Sequence, residues 1–193
     1  MHHIYHTEAI ILGSRNVGET ARGFYLFTPD LGLVYTRAQG IRKLSSRLRY
    51  VLSDYAYIKV DLVRGKDVWR ITSASKTNIL DGLKDNRRAM AVLVNLSRLL
   101  YRLLRGEEAN ENLFREVFEG LLVLEHKTNN REIESIEIMI VLRVLANLGY
   151  IGESGVPNAL MRSPLADDLL EEIALYKVDA IREINRALRE THL

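Results

Sequence analysis

The spacing of the apolar residues changes near residue 80, and this change decides the fold class. Within residues 55–63 every even-numbered residue is apolar, which is the pattern of a β-strand with one buried face. Within residues 85–104 the apolar residues recur every three or four positions, which is the pattern of an amphipathic helix. A chain that forms strands first and helices afterwards is predicted to be an α+β protein.

The charge of the chain changes at the same point. Its 193 residues have room for one compact domain or two small ones. Residues 1–80 carry 12 Lys and Arg against 6 Asp and Glu, whereas residues 81–193 carry 15 against 19. We therefore predict a basic domain of residues 1–78 and a helical domain of residues 79–193, with different partners.

The basic part is predicted to contain five short strands separated by turns. They are residues 9–12, 24–28, 33–38, 55–63 and 68–73. The second and third strands are joined by Pro29-Asp30-Leu31-Gly32, which has the residue types of a tight turn. Five short strands in about 75 residues favour a small closed barrel, because closure hides the strand edges.

The acidic part is predicted to form a bundle of helices. The three clearest helices cover about residues 85–104, 110–127 and 133–148, and one or two more follow. Asp85 or Asn86 can cap the first helix, and Asn110 can cap the second. The third helix is apolar nearly all round from Ile138 onward, so we expect it to be the buried centre of the bundle.

The segment between Asp30 and Asp54 contains no acidic residue. Its five cations are Arg37, Arg42, Lys43, Arg47 and Arg49. Gly40 and the pair Ser45-Ser46 indicate a mobile connection between the third and fourth strands. Clustered cations beside hydroxyl and backbone N–H donors are typical of phosphate binding, so this segment predicts contact with nucleic acid. The alternative is a solvated basic loop that keeps the protein in solution.

Several tyrosines are candidates for stacking on unpaired bases. Tyr55 and Tyr57 are the better candidates, because the alternating pattern places them with Lys59 on the polar face of the fourth strand, and Tyr57 is included among the predicted DNA-binding residues. Packing within the barrel is the alternative for each single tyrosine. Trp69 is predicted to belong to the core.

The composition argues against several other classes of protein. The chain has no cysteine, which excludes disulfides, thiolate zinc sites and cysteine nucleophiles. It has no phosphate-binding glycine loop and no zinc-protease motif, and its histidines are not spaced as metal ligands. We expect no enzyme activity, metal or cofactor. No segment has the pattern of a signal peptide or a membrane span, so we expect a cytoplasmic location without membrane contact.

A series of short motifs in residues 5–75 is typical of one known family. The motifs are Thr7-Glu8-Ala9-Ile10-Ile11-Leu12, Gly18-Glu19, Leu26-Phe27-Thr28, Leu31-Gly32, Gln39-Gly40-Ile41-Arg42-Lys43, Ser46-Arg47-Leu48-Arg49 and Arg64-Gly65-Lys66. In the helical part, residues 144–150 resemble the leucine-rich helix of the same family, which ends in Leu-Gly-Tyr. The chain thus resembles the RecO family of bacterial DNA repair and recombination mediators.

This resemblance implies an N-terminal OB-fold followed by an α-helical domain. It implies binding of single- and double-stranded DNA, annealing of complementary strands and association with the nucleoid. It further implies contact with the C-terminal tail of the single-stranded DNA-binding protein, and joint action with RecR in loading RecA. The family's basic OB-fold positions correspond here to Arg42, Lys43, Arg47 and Arg49, with Arg37 and Arg22 as weaker candidates.

The chain departs from the family pattern in one respect. Many members carry four cysteines of a zinc site after the Leu-Gly-Tyr helix, whereas residues 151–157 here contain no such ligand. Two other functions stay open at this point: an RNA-binding OB-fold module, and a protein–protein adaptor whose basic segment faces an acidic partner.

Overall fold

The computed structural model describes residues 3–152, 156–163 and 167–191, and it contains strands followed by helices. The strands are β1 (Ile4–Val17), β2 (Ala21–Thr28), β3 (Gly32–Ala38), β4 (Tyr57–Arg64) and β5 (Trp69–Lys76). The helices are α1 (Arg87–Leu103), α2 (Glu111–Glu125), α3 (Asn130–Asn147), α4 (Asn158–Arg162), α5 (Asp167–Leu175) and α6 (Lys177–Glu190), with 3₁₀ turns at Arg47–Tyr50 and Asp81–Asp85. The predicted α+β class, an OB-fold barrel followed by helices, is confirmed.

The five strands form a closed barrel in the order β1-β2-β3-β5-β4. Strand β1 closes it, because residues 4–10 pair with β4 and residues 10–17 pair with β2. The pairing of β3 with β5 is parallel and short, and it joins Thr36 to Trp69 and Arg37 to Arg70. Strand β1 is longer than the predicted 9–12, because backbone pairing extends through polar residues that the apolar pattern does not detect.

The interior of the barrel is filled by the inward residues of all five strands. Ile41 and Leu52, from the connection between β3 and β4, belong to the same core. Phe24, Leu26, Ile58 and Leu62 are fully buried there, and Trp69 is 3% exposed, as predicted. At about 25 cal/mol for each Å² of apolar surface removed from water, this core is the main source of stability of the barrel.

The described chain divides into two compact units. The barrel unit contains the residues up to Asp81 together with Ser97–Phe114, and the helical unit contains Gly82–Leu96 and the residues from Arg115 onwards. The division into domains of residues 1–78 and 79–193 stays a prediction.

Within the barrel unit, the segment after α1 packs closely on the strands. The Phe27 and Phe114 ring centroids are 5.2 Å apart, and the Trp69 indole N–H donates to the Glu107 carboxylate at 2.8 Å. Gly32 has a φ of +65°, and a Cβ there would lie 2.1 Å from the Glu108 carbonyl oxygen. A glycine is therefore required at this position by both its backbone angle and its surroundings.

Two helix starts use predicted caps, Asn86 and Asn110, and a third uses Asn129, which was not predicted as a cap. Asn86, Asn110 and Asn129 each accept a backbone N–H of the first turn that follows. In the helical unit, α3 is buried along most of its length and contacts α4, α5 and α6, as its apolar character predicts. Among the described residues, three helices follow it rather than one or two. Helix α4 lies in a segment where no helix was predicted, and α5 and α6 are separate because the backbone leaves the helical region at Tyr176 (φ −98°, ψ 11°).

Candidate nucleic-acid interface

The cation-rich segment forms a connection of tight turns between β3 and β4, which we call the basic loop (residues 39–56). Gly40 has a φ of +66°, and its carbonyl accepts the Lys43 N–H at 3.0 Å. A single 3₁₀ turn follows at Arg47–Tyr50. The sequence predicted a mobile connection, but Ile41 and Leu52 are 3% and 2% exposed and belong to the barrel core. Their burial anchors the loop on both sides of its cations.

The basic loop is attached to the turn between β1 and β2. The Arg42 backbone N–H donates to the Thr20 carbonyl, and the Arg42 guanidinium donates to the Gly18 carbonyl, both at 3.1 Å. These bonds hold Arg42 beside Arg22, which lies near the start of β2. The sequence alone could not place these two residues together, because 19 positions and two strands separate them.

An open cavity of about 320 Å³ lies at this end of the barrel. Its lining residues are Arg22, Ile41, Arg42, Arg49 and Leu52. Three guanidinium groups thus surround an apolar floor. Lys43 and Arg47 are exposed on the same loop, so five of the predicted DNA-binding residues belong to this end of the barrel.

Asp54 brings a carboxylate to this basic region. Asp54 accepts from Arg22 at 3.5 Å and from the Ser14 hydroxyl. In the part of the chain that the structure describes, Arg42, Lys43, Arg47 and Arg49 form no ion pair. Exposed cations without a protein carboxylate are available to phosphate oxygens.

Two exposed side chains accompany the cations. Arg49 lies over the Tyr50 ring with 4.8 Å between its guanidinium carbon and the ring centroid, and Tyr50 is 72% exposed. Leu44, at the tip of the loop, is 86% exposed. Aromatic and apolar groups among cations are suited to contact bases as well as phosphates.

The other three predicted residues lie outside this cavity. Arg37 is exposed on β3 in register with Arg70, and Lys59 is exposed on β4 in register with Glu8. The expectation that Tyr57 lies on an exposed face is wrong, since its side chain is 3% exposed.

The position of Tyr57 has a physical explanation. Its ring is on the outside of the barrel wall, but that part of the wall is also buried. Its hydroxyl donates to the Glu8 carboxylate, and burial together with this bond raises the pKa of Tyr57 well above its ordinary value. We therefore do not include Tyr57 in the interface, and the roles of the other seven residues stay predictions.

Two exposed arginines of the barrel were not identified from the sequence. Arg15 lies on β1 and Arg70 on β5, and both are brought near Arg37 by strand pairing. They sit singly in segments that also contain acidic residues, so charge clustering along the chain does not reveal them. Only the strand order and register do so.

The chain matches two family models in sequence. Residues 1–80 match the N-terminal part of recombination protein O, and residues 85–152 match its C-terminal part. The chain belongs to the RecO family. This membership confirms the resemblance that the motifs of the barrel indicated.

Curated RecO relatives extend the comparison. The DNA repair protein RecO of Dehalococcoides mccartyi is 31% identical over 148 residues, which cover 77% of this chain and 57% of the relative. The DNA repair protein RecO of Heliobacterium modesticaldum is 26% identical over 150 residues, which cover 78% of this chain and 53% of the relative. The chain therefore spans little more than half the length of these relatives.

Two other kinds of site, a membrane span and a metal centre, have no counterpart among the described residues. No helix among them is both long and apolar enough to span a lipid bilayer. Nor do they contain a group of three or more His, Asp or Glu side chains arranged to hold a metal ion. His6 instead contacts Asp61, with 2.6 Å between Nδ1 and Oδ1. Residues 153–155, within the segment that the sequence analysis considered for zinc ligands, lie outside the described part.

Proposed function

We propose that this chain is a DNA repair and recombination mediator that binds single- and double-stranded DNA through the basic loop and the cavity beside it. The observation that carries the proposal is the convergence of Arg22, Arg42 and Arg49 on one open cavity, with further exposed cations on the same loop. The RecO relatives, which are named DNA repair proteins, support the same function.

Annealing follows from charge neutralisation and requires no catalytic residue. Two complementary strands repel each other through their phosphates, and bound cations reduce this repulsion while releasing condensed counterions. A cationic surface that contacts phosphates and leaves base edges free therefore favours pairing. The protein acts in this scheme as a binding platform, without turnover of a substrate.

Protein partners complete the proposed role. We propose that the chain contacts the acidic C-terminal tail of the single-stranded DNA-binding protein and acts with RecR to load RecA, at the nucleoid. The helical part is the proposed docking region for these partners. A pull-down with the tail peptide, beside a peptide that lacks the terminal acidic residues, tests the first contact. Equal capture of both peptides contradicts it.

The DNA-binding proposal is tested with the variant R42A/K43A/R47A/R49A. Its affinity for a 30-nucleotide single strand and for the matching duplex is measured by fluorescence anisotropy across a salt series. We expect weaker binding of both, with the slope of log K against log salt falling in magnitude by about 3 for the single strand, since each lost phosphate contact contributes about 0.7.

The matched control removes four exposed cations elsewhere, in the variant K66A/R87A/R98A/R131A. It has the same net charge as the loop variant. A loss of DNA affinity that depends only on total charge is therefore equal in the two variants. An unchanged affinity and salt slope in the loop variant contradicts the proposed site. Competition between DNA and RNA of one sequence separates DNA repair from a role in RNA binding, and absence of binding to either favours an adaptor.

A further inference from the structure

Helix α6 packs against the helical unit through small residues. Its buried residues are Ala180 and Ala187, and the helix contacts α3 and α5 within that unit. Lys177, at the start of α6, pairs with Glu134 of α3 at 2.7 Å and so fixes the position of the first turn. Because a helix turns by about 100° per residue, the side of α6 opposite the two alanines faces away from this packing.

An open cavity of about 610 Å³ lies on that outer side, and we call it the α6 groove. Its lining residues are Val178, Ile181, Arg182, Asn185, Leu188 and Arg189. Val178 is 69% exposed and Ile181 is 37% exposed. Aliphatic side chains that gather on one exposed helix face, with cations beside them, indicate a surface for another molecule.

The α6 groove has a seven-residue repeat. Its lining residues form three pairs with this spacing, which are Val178 and Asn185, Ile181 and Leu188, and Arg182 and Arg189. In the heptad abcdefg these pairs occupy positions a, d and e, which meet the partner helix in a coiled coil. Seven residues advance a helix by about 10.5 Å. The ligand that matches this repeat is a second helix that lies along α6.

Asn185 interrupts the apolar a positions. It is exposed in the middle of the α6 groove, between Ile181 and Leu188 along the helix. A single asparagine at an a position lowers the stability of a helix pair but fixes its register, because the amide bonds to a polar group opposite. A partner helix with one polar residue among its apolar ones therefore fits this surface in one alignment.

The charges of the α6 groove indicate the kind of helix. Arg182 and Arg189 are exposed along one edge of it. Arg182 pairs with Asp179 at 2.7 Å, but this pair is exposed and weak enough to exchange for a carboxylate of a partner. Within the described part of the chain, Arg189 forms no ion pair. Acidic residues beside the apolar stripe of the incoming helix complement this edge.

A second copy of the chain matches the α6 groove poorly. In an antiparallel helix pair the e positions face each other, so the arginines of the two copies would repel. In a parallel pair, Arg182 of one copy would face Lys177 of the other. Like charges thus disfavour α6 as its own partner in both orientations.

We propose that the α6 groove docks an amphipathic helix of a partner protein, in which Asp or Glu residues flank the apolar a and d positions. Val178, Ile181 and Leu188 supply the apolar contacts, and the two groove arginines select the acidic flank. This contact goes beyond the proposed DNA binding and does not require it. It is also separate from the proposed contact with the tail peptide, since it needs a helical ligand.

The first test measures binding of two synthetic helices to the full chain by fluorescence anisotropy. Each helix has three heptads with leucine at a and d, except for one asparagine at the central a position. One peptide carries glutamate at e and g and the other lysine, and these like charges keep each peptide from pairing with itself. We expect saturable binding of the acidic helix and about tenfold weaker binding of the basic one. Equal affinities, or no binding of the acidic helix, overturn the proposal.

The variant R182E/R189E reverses the charge of the groove edge. We expect it to bind the acidic helix about tenfold more weakly than wild type and to bind the basic helix more tightly. The matched control is R98E/R131E, which reverses two exposed arginines outside the groove and has the same net charge. It keeps most of the preference for the acidic helix. If both variants lose this preference equally, net charge selects the peptide and the proposal is wrong.

The apolar contact is tested separately with Ile181→Ser. We expect it to weaken binding of the acidic helix by about tenfold, because apolar surface is no longer removed from water at the contact. Ile79→Ser is the matched control, since Ile79 is 40% exposed and belongs to the barrel unit. It stays within about twofold of wild type. Unchanged affinity in Ile181→Ser contradicts docking of a helix in this groove.

Two further measurements identify other occupants. If sedimentation shows a wild-type dimer that Ile181→Ser dissociates, a second copy occupies the α6 groove. If R182E/R189E loses affinity for a 30-nucleotide single strand, while R98E/R131E does not and both peptides bind as in wild type, the groove holds nucleic acid. Either result overturns the proposal.

Discussion

Arg143 of the helical unit and the arginines of the basic loop carry the same charge in opposite surroundings. Arg143 is 3% exposed, and its guanidinium donates to the Glu116 carboxylate and to the carbonyl oxygens of Leu160 and Ser163. In the basic loop, Arg42 is exposed and donates to the Gly18 carbonyl, while Arg49 lies over a tyrosine ring.

The difference shows what each charge can do. A buried guanidinium whose three nitrogen atoms each donate inside the protein positions the chain segments around it, and its loss leaves acceptors without partners. A guanidinium that faces water without a carboxylate contributes little to folding, and its donors are available to a phosphate. Charge count alone does not separate these two cases, whereas burial and bonding do.

The largest expected effect is on the buried arginine. Arg143→Leu removes the partner of Glu116 and leaves two carbonyl oxygens without their donor. We expect the free energy of unfolding to fall by about 3–5 kcal/mol, as measured by urea denaturation. Arg42→Ala is the matched exposed change, and we expect it to stay within about 0.5 kcal/mol of wild type.

The added change Glu116→Gln refines this comparison. In Arg143→Leu/Glu116→Gln the unpaired carboxylate is gone, so we expect part of the lost stability to return. A loss below about 1 kcal/mol in Arg143→Leu means that the buried guanidinium does not organise the segments around it, and the contrast with the basic loop is then incorrect.

An intermediate effect is expected at Asp54, the carboxylate that contacts the basic region. Asp54→Asn removes a negative charge beside Arg22 and keeps an oxygen that can accept from the Ser14 hydroxyl. A half-buried pair of this kind contributes up to about 1 kcal/mol, so we expect DNA affinity to rise by up to about fivefold. Anisotropy titration measures it.

Asp67→Asn provides the control for that prediction. Asp67 is exposed in the β4–β5 turn, and its removal changes the total charge by the same amount. We expect a smaller change in affinity from it. If the DNA affinity of both variants rises equally, the effect arises from net charge. Arg22 is then not shown to contact DNA.

The sequence predicted the fold well where local patterns decide it. The period-two segments became strands, and Asn110 capped a helix as its position indicated. The pattern did not reveal that β1 extends from Ile4 to Val17, because backbone pairing with two different strands continues through polar side chains. Closure of a barrel is a property of all strands together, and local periodicity does not report it.

The candidate site was predicted only in part, for the same reason. An acid-free run of cations identified the basic loop, because those residues are close along the chain. Arg22 and Arg42 meet only through the attachment of the loop to the β1–β2 turn, and Arg15 meets Arg37 only through strand register. Alternation correctly separated the two faces of β4 but could not show that both are buried at Tyr57.

The smallest expected effect concerns Tyr57, whose side chain is buried, whereas that of Tyr50 in the basic loop is exposed. Tyr57→Phe removes the hydroxyl that donates to Glu8, and we expect a loss of about 1 kcal/mol in the free energy of unfolding at pH 8, with no change in affinity for single-stranded DNA. Because the pKa of Tyr57 is raised in the folded state, wild type loses stability as pH rises above about 10, the ordinary pKa at which the unfolded chain ionises. The phenylalanine variant has no ionisable hydroxyl at this position. The difference in free energy of unfolding between the two proteins, measured by urea denaturation, therefore shrinks from pH 8 to pH 10.5. Tyr50→Phe, which removes a hydroxyl at an exposed position, is the control and leaves stability unchanged at pH 8. A threefold change in DNA affinity in Tyr57→Phe would return Tyr57 to the interface.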